Sequence, residues 1–292
     1  LNQDGSVQLQ LGATEIGQGA DTVFSQMVAE TLQTDMAHVH IQTVQDTDVS
    51  PFDTGAYASR QSFVTGTAVK HCAEILRDKI LAYAKTLLPE VDTRELSLHD
   101  NWIWAGEEQA ISLAALAEES YYSLTNSSVL TAEVSEQVKK NTIATGCCFA
   151  EVEVDIKLGK IKILHIINVH DSGKLINPKL AEMQVQGGMS MGMGYGLSEQ
   201  LILDEKTGRP LNGTLLDYKL MTMMDTPDIK ADFVELDDPI GPFGNKALGE
   251  PPAIPGAPAI RNAVLHATGV AFNENPLTPQ RLIDGFIKAR LI

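Results

Sequence analysis

Gly249-Glu250-Pro251-Pro252, with Pro255-Gly256-Ala257-Pro258 close behind it, is the stretch on which the reading of this chain turns. Two consecutive prolines fix φ at about −65° and remove two backbone donors, so the segment reads as neither helix nor strand. Pro251 biases Glu250 toward extended backbone, and Gly249 lets the chain approach a neighbour closely. An apolar helical pattern begins just after Pro258. A carboxylate on a rigid loop ahead of a helix is placed to take a proton. A plain capping or turn glutamate is the competing reading of these four residues taken alone.

Helical patterns follow over 259–267 and 279–290. Upstream, strands are expected near Leu201, Tyr218 and Phe233. Residues 179–198 have helical spacing, although Gly187, Gly188, Gly192, Gly194 and Gly196 lower the propensity. So many glycines imply close packing against another element or a ligand. Before them, Asp171-Ser172-Gly173 and Asn177-Pro178 flank a loop. Val152, Val154 and Ile156 alternate as a strand, Gly159 turns the chain, and 161–169 is a largely buried strand.

The first half opens with Val7, Leu9 and Leu11 alternating with glutamines, a half-buried strand. Residues 12–19 form a loop, and Asp21 can cap the helix carrying Phe24, Met27, Val28 and Leu32. Val39 and Ile41 alternate, with His38 and His40 on the other strand face. Residues 46–55 are loop, and 64–88 a long helix with Val69, Cys72, Leu76, Ile80, Tyr83 and Leu87 on one face. A hairpin is expected at 96–98 and 102–104, a helix at 113–121, and a linking segment at 126–141. Strands and helices mix without strict βαβ alternation. The expectation is therefore an α+β fold with mixed sheets, divided at about residue 140 into subdomains 1–140 and 141–292.

The chain has 292 residues, 43% apolar and 21% charged, with a net charge of −16. That balance argues against nucleic acid or an anionic membrane as partner, since both need a basic footprint. No apolar run reaches the roughly 20 residues of a membrane span, and no signal peptide opens the chain, so a cytoplasmic protein is expected. The sequence lacks an initiator Met and reads as a piece of a larger polypeptide or one lacking its start. Cys72, Cys147 and Cys148 give no disulfide framework, and vicinal Cys147-Cys148 is expected to be buried. The seven histidines form no metal cluster and are expected to be surface or half-buried.

Two further loops carry chemistry. Gly17-Gln18-Gly19 lies between strand and helix, where backbone N–H groups and the helix N-terminus can meet an anion. It is neither a dinucleotide fingerprint nor a P-loop, and a plain turn is the commoner meaning. Gly55-Ala56-Tyr57-Ala58-Ser59-Arg60-Gln61 offers hydroxyls and backbone donors to a phosphate or heterocycle, or is simply a loop tip.

In combination these stretches, LGATEIGQGADT (11–22), TGAYASRQSFVTG (54–66), HDSGKLINPKLAEMQVQGGMSMGMGYGLSEQ (170–200) and GPFGNKALGEPP (241–252), make the chain resemble the C-terminal molybdenum-binding region of the molybdenum hydroxylases, such as xanthine dehydrogenase, aldehyde oxidoreductase and nicotinate dehydrogenase. The resemblance runs from residue 7 to residue 285 and is least over 90–140. It implies two mixed α/β subdomains of the aldehyde oxidase and xanthine dehydrogenase molybdopterin-binding type. It implies a molybdopterin with molybdenum, in bacteria often as the cytosine dinucleotide. Gly17, Gln18 and Gly19 would contact the pterin or an oxo ligand. Ala58, Ser59 and Gln61 would line the cofactor, Gln184 would bond the pterin, and Gly249 would adjoin it. Glu250 would be the catalytic base, ionised yet partly desolvated. Tyr57 would shape the substrate pocket, and no side chain would ligate the metal.

The activity so implied is hydroxylation of an electron-poor carbon, in a purine- or nicotinate-like heterocycle, with oxygen from water. An aldehyde-oxidising member and a non-catalytic cofactor-binding module are the alternatives. The family's iron–sulfur clusters, FAD and substrate-orienting residues are absent from this sequence. Partner subunits or domains are therefore expected: the other half of the molybdenum subunit, an iron–sulfur subunit and a FAD subunit.

Overall fold

A computed structural model describes residues 1–292 and shows mixed helix and sheet. The chain forms two compact units: Leu1–Thr142 with Asp238–Asn245, and Ile143–Asp237 with Lys246–Ile292.

In the first unit, β1 (Val7–Leu9) runs parallel to β2 (Val39–Ile41), with Val7 opposite Val39. The crossover between them is α1 (Ala20–Leu32), which buries Phe24, Met27, Val28 and Leu32 at the spacing read from the sequence. The second helix, α2 (Gly66–Leu87), is entered through one wide π turn, Gln61–Thr65. Val69, Leu76, Ile80 and Tyr83 are buried along it, while Cys72 and Leu87 are half-buried. The hairpin β3 (Leu96–His99) and β4 (Trp102–Ala105) gains a third antiparallel strand, β5 (Glu108–Ser112). Helix α3 (Leu113–Tyr122) is capped by Ser112, whose Oγ accepts from Ala115 N. His38 ends a 3₁₀ turn rather than sharing a strand face with exposed His40.

The second unit is built on a three-stranded sheet. Its central strand β7 (Lys160–Asp171) pairs antiparallel with β6 (Thr145–Asp155) and parallel with β8 (Asp228–Phe233). Helices α4 (Pro178–Leu197), α5 (Gly256–Thr268) and α6 (Pro279–Lys288) complete it. Ile166, Val185, Met189, Met193, Ile260 and Phe286 form the centre of the core. The strands expected near Leu201 and Tyr218 are absent. Leu203 makes only an isolated bridge to Pro210, and Tyr218 lies in a turn. Cys147 and Cys148 point to opposite faces of β6, so Cys147 is exposed and only Cys148 is half-buried. Burial pushes the Cys148 thiol up to about 11. His170, expected to be surface or half-buried, is enclosed at the end of β7 over Gly146, where a Cβ would come within 2.5 Å of its Nδ1.

No helix is long and apolar enough to cross a membrane.

Candidate functional site

The double proline starts a short 3₁₀ turn, Pro251–Ala253, with Glu250 as its N-terminal residue. Glu250 has φ −87° and ψ −33°, helical rather than the extended backbone that a following proline favours. The turn overrides that bias because Ala253 N donates to Glu250 O at 3.0 Å. Prolines at the first positions of such a turn forfeit no hydrogen bond, since those N–H groups have no partner there anyway.

What fixes this turn is the glycine face of α4. A Cβ on Gly188 would lie 2.7 Å from Pro252 Cβ and 3.1 Å from Ala253 N, and one on Gly192 would lie 2.5 Å from Ala253 O. A Cβ on Gly196 would lie 3.2 Å from Ala257 Cα in α5. The glycine run therefore serves close approach of another element. Two side-chain amides add bonds. Gln184 Nε2 donates to Gly249 O at 3.0 Å, and Asn168 Nδ2 donates to Pro252 O at 3.2 Å. Below the turn, Lys246 Nζ meets Asp171 Oδ2 at 2.6 Å in a pair whose side chains are each 11% exposed. Lys246 N also donates to Ser172 O at 2.7 Å. Burial alone would raise the Asp171 carboxyl, but the Lys246 bond, the Gly173 N–H and the Lys246 charge together hold it below its usual range. Glu250 itself is exposed on this chain, so its own surroundings do not supply the desolvation expected of the base. The amide of Gln184, expected on a pterin, is engaged by the turn.

In the first unit the two glycine- and alanine-rich loops come together. Gln18 Nε2 donates to Thr14 O at 3.0 Å and to Gln61 Oε1, while Ile16 N donates to Gln18 Oε1 at 2.7 Å. Gln61 Nε2 reaches the same Thr14 carbonyl at 3.3 Å. Gln18 and Gln61 thus knot the two loops. Gly17 and Gly19 have φ of 101° and 85°, and Ala58 and Ser59 have φ of 51° and 54°. Two consecutive non-glycine residues in the left-handed region are uncommon, and such strain clusters at ligand sites. The second loop is braced by Asp53, which pairs with Arg60 Nη1 at 2.8 Å and accepts from Gly55 N at 2.8 Å. Arg60 also lies 6.0 Å from the ring of exposed Tyr57.

Asp21 is not the cap of α1. Glu15 takes that place: its carboxylate accepts from Gly17 N at 2.7 Å, Gly19 N at 3.1 Å and Asp21 N at 3.1 Å. Burial would raise Glu15, but these N–H groups and that of Ala20 hold it below its usual range. Burial and the neighbouring Glu15 charge push Asp21 up. A phosphate at this helix N-terminus would have to displace the Glu15 carboxylate from these N–H groups. What remains open is the loop edge: Gly17 and Ala58 are exposed, and a Cβ on Gly17 would meet nothing within 4 Å.

Sequence reasoning missed three groups: Asn168, Glu15 and the Lys246–Asp171 pair. The amide contacts at the turn span 65 and 84 residues, which no local pattern encodes. Glu15 could have been found as an acidic residue just ahead of a helix start.

Residues 1–227 match the molybdopterin cofactor-binding domain. A xanthine dehydrogenase molybdenum-binding subunit of Escherichia coli O157:H7 is 50% identical over 295 residues, covering 100% of this chain and 39% of its own length. The 6-hydroxypseudooxynicotine dehydrogenase complex subunit gamma of Paenarthrobacter nicotinovorans is 29% identical, covering 97% of this chain and 36% of its own. Among solved structures, quinoline 2-oxidoreductase from Pseudomonas putida 86 superposes with a TM-score of 0.89 at 26% identity, over 98% of this chain and 37% of that one. CO dehydrogenase from Oligotropha carboxidovorans gives 0.90 at 26% identity, over 100% and 37%. The chain thus spans about two fifths of the length of the relatives it matches. On its sequence and on its mixed α+β fold, the chain belongs to the molybdopterin-binding region of the molybdenum hydroxylase family.

Proposed function

We propose that this chain is the molybdopterin-binding part of a hydroxylase that places water-derived oxygen on an electron-poor carbon of a purine-like heterocycle, with Glu250 as the base. The observation that carries the reading is the carboxylate at the head of a double-proline turn, held by amides from β7 and α4. The 50% identity to a xanthine dehydrogenase subunit favours a purine over an aldehyde. Both units would serve as molybdopterin-binding subdomains.

When bound, molybdopterin with its molybdenum supplies the redox chemistry. Gly17, Gln18 and Gly19 with Ala58, Ser59 and Gln61 would hold its flank, because their loops are pre-shaped and open at Gly17. Gly249 would adjoin it, and Gln184 would act through the Gly249 carbonyl that it holds. Tyr57, braced by Arg60, would wall the substrate pocket. Glu250 takes a proton at its carboxylate. Cofactor, substrate and the remaining polypeptide would desolvate it there, since the chain alone leaves it exposed. The cofactor is taken to be the cytosine dinucleotide form, with iron–sulfur and FAD centres on partner chains. Those relatives are named as subunits, which supports partners of this kind.

The test is Glu250→Gln in the purified assembly. It keeps size and hydrogen bonding but cannot accept the proton, so turnover should fall by at least ~10²–10⁴-fold. Molybdenum and cytidine monophosphate released per chain should stay unchanged. Near-normal turnover would sink the assignment of the base. Turnover of aldehydes but not purines would favour the aldehyde-oxidising reading, and a wild-type assembly that holds the cofactor but turns over neither would favour a carrier.

A further inference from the structure

Asn168 sits in the middle of β7, the central strand, opposite Cys148 on one side and Ala231 on the other. It is 0% exposed. Its Nδ2 donates to Pro252 O at 3.2 Å, and its Oδ1 has no hydrogen-bond partner. A buried amide oxygen without a donor opposes folding, and a leucine, which has the same branching and no polar atoms, would avoid that penalty. Packing therefore does not account for an asparagine at this position.

Its one bond does. The carbonyls of Gly249 and Pro252 bracket Glu250, one residue before it and two after. Gln184 in α4 holds the first and Asn168 in β7 holds the second. The glycine face of α4 sets how close the turn lies, because a Cβ on Gly188 would displace Pro252. The Lys246–Asp171 pair fixes the approach of the chain four residues before Glu250. The donors come from two different elements, so the turn is held in rotation as well as in depth.

We infer that Asn168 is a positioning residue, which sets the direction of the Glu250 carboxylate through the Pro252 carbonyl and does so at the expense of stability. The inference rests on the proposed role of Glu250 as base. Asn168 touches neither substrate nor cofactor in this account.

The experiment uses the purified assembly with Asn168→Leu, Glu250→Gln and the double variant. Asn168→Leu should keep its molybdenum content and melt near the wild-type temperature, because the orphaned oxygen is gone while the Pro252 carbonyl loses its donor. Its kcat should fall roughly 10- to 100-fold, the scale of a small misplacement of a reacting group, with KM changed far less. In the Glu250→Gln background the same replacement should lower the residual rate no further. A wild-type kcat in Asn168→Leu would overturn the inference. So would a lower melting temperature with matching loss of metal, which marks a structural residue. So would an additive loss in the double variant, which marks a route other than Glu250. Should Asn168→Leu not accumulate, Gln184→Met on the less buried side removes the other donor, and the same three readouts decide. Failure of the base assignment is read separately, from Glu250→Gln alone.

Discussion

Gln18, between two glycines, and Gln184, on α4, both meet protein groups. Gln18 makes or accepts bonds with Thr14, Ile16 and Gln61. Gln18→Ala should therefore destabilise the chain by about 0.5–1.5 kcal/mol, because it loses the bonds that join the two loops while water reaches most of the freed partners. Thermal unfolding without any cofactor checks this, and an unchanged midpoint would return Gln18 to a purely ligand-facing role. His170 gives a second expectation. Burial pushes its imidazole below the ordinary 6.5, although a contact from the Thr145 backbone opposes the shift. The unfolded chain then binds the proton at higher pH than the folded one. The stability linked to this group is complete above 6.5 and declines as pH falls toward the folded value. His170→Leu should flatten that part of the stability curve, measured by denaturant unfolding across the same pH series. Wild type and variant with equal slopes would refute it.

Among elements, the helices were legible because their apolar period is 3.6 and their caps are local. Asn177 and Ser112 each cap a helix with a side-chain oxygen. Strand β5 was not legible, since Glu108, Gln109 and Ala110 are exposed and only pairing with β4 makes it a strand. Residues 199–227 misled the reading in the other direction. Their apolar residues imitate strands, yet the chain is held by turns around Asp204, Asn212, Thr214 and Thr222. The candidate loops could be read from glycine and proline, whereas the partners of their amides could not. The glycines of α4 also divide by environment. Gly187 has nothing within 4 Å of its absent Cβ, so Gly187→Ala should stabilise the helix by about 0.5–1 kcal/mol. Gly192→Ala would press on the Ala253 carbonyl and should cost about 1–3 kcal/mol through strain. Paired melting curves separate the two, and equal effects would mean that α4 does not seat the turn.

At the scale of the whole molecule, α4 is apolar on more than its core face. Met183, Met191 and Tyr195 form an exposed stripe through Gly187 at intervals of four. The segment after it leaves Leu215, Leu216, Met223 and Met224 largely exposed, the last two at 93%. An exposed apolar patch of this kind is what packs against another polypeptide in other proteins. The proposed remainder of the molybdenum subunit is the partner this surface would take, because about three fifths of the length of such a relative lies outside the matched part. Met191→Glu should weaken co-purification of that partner and leave the chain's own melting midpoint in place. Retained association would assign the contact to another face. The division into units has its own consequence. Asp238–Asn245 belongs to the first unit although most of the second precedes it in the chain. Phe243 in that segment lies under Lys70, and Pro242 lies near Gly66. During synthesis, then, the ribosome releases residues 1–142 long before the strand of chain that completes them. The first unit waits, unfinished, through nearly a hundred further residues, and a chain stalled before Asn245 has left the exit tunnel should be an early substrate for chaperones.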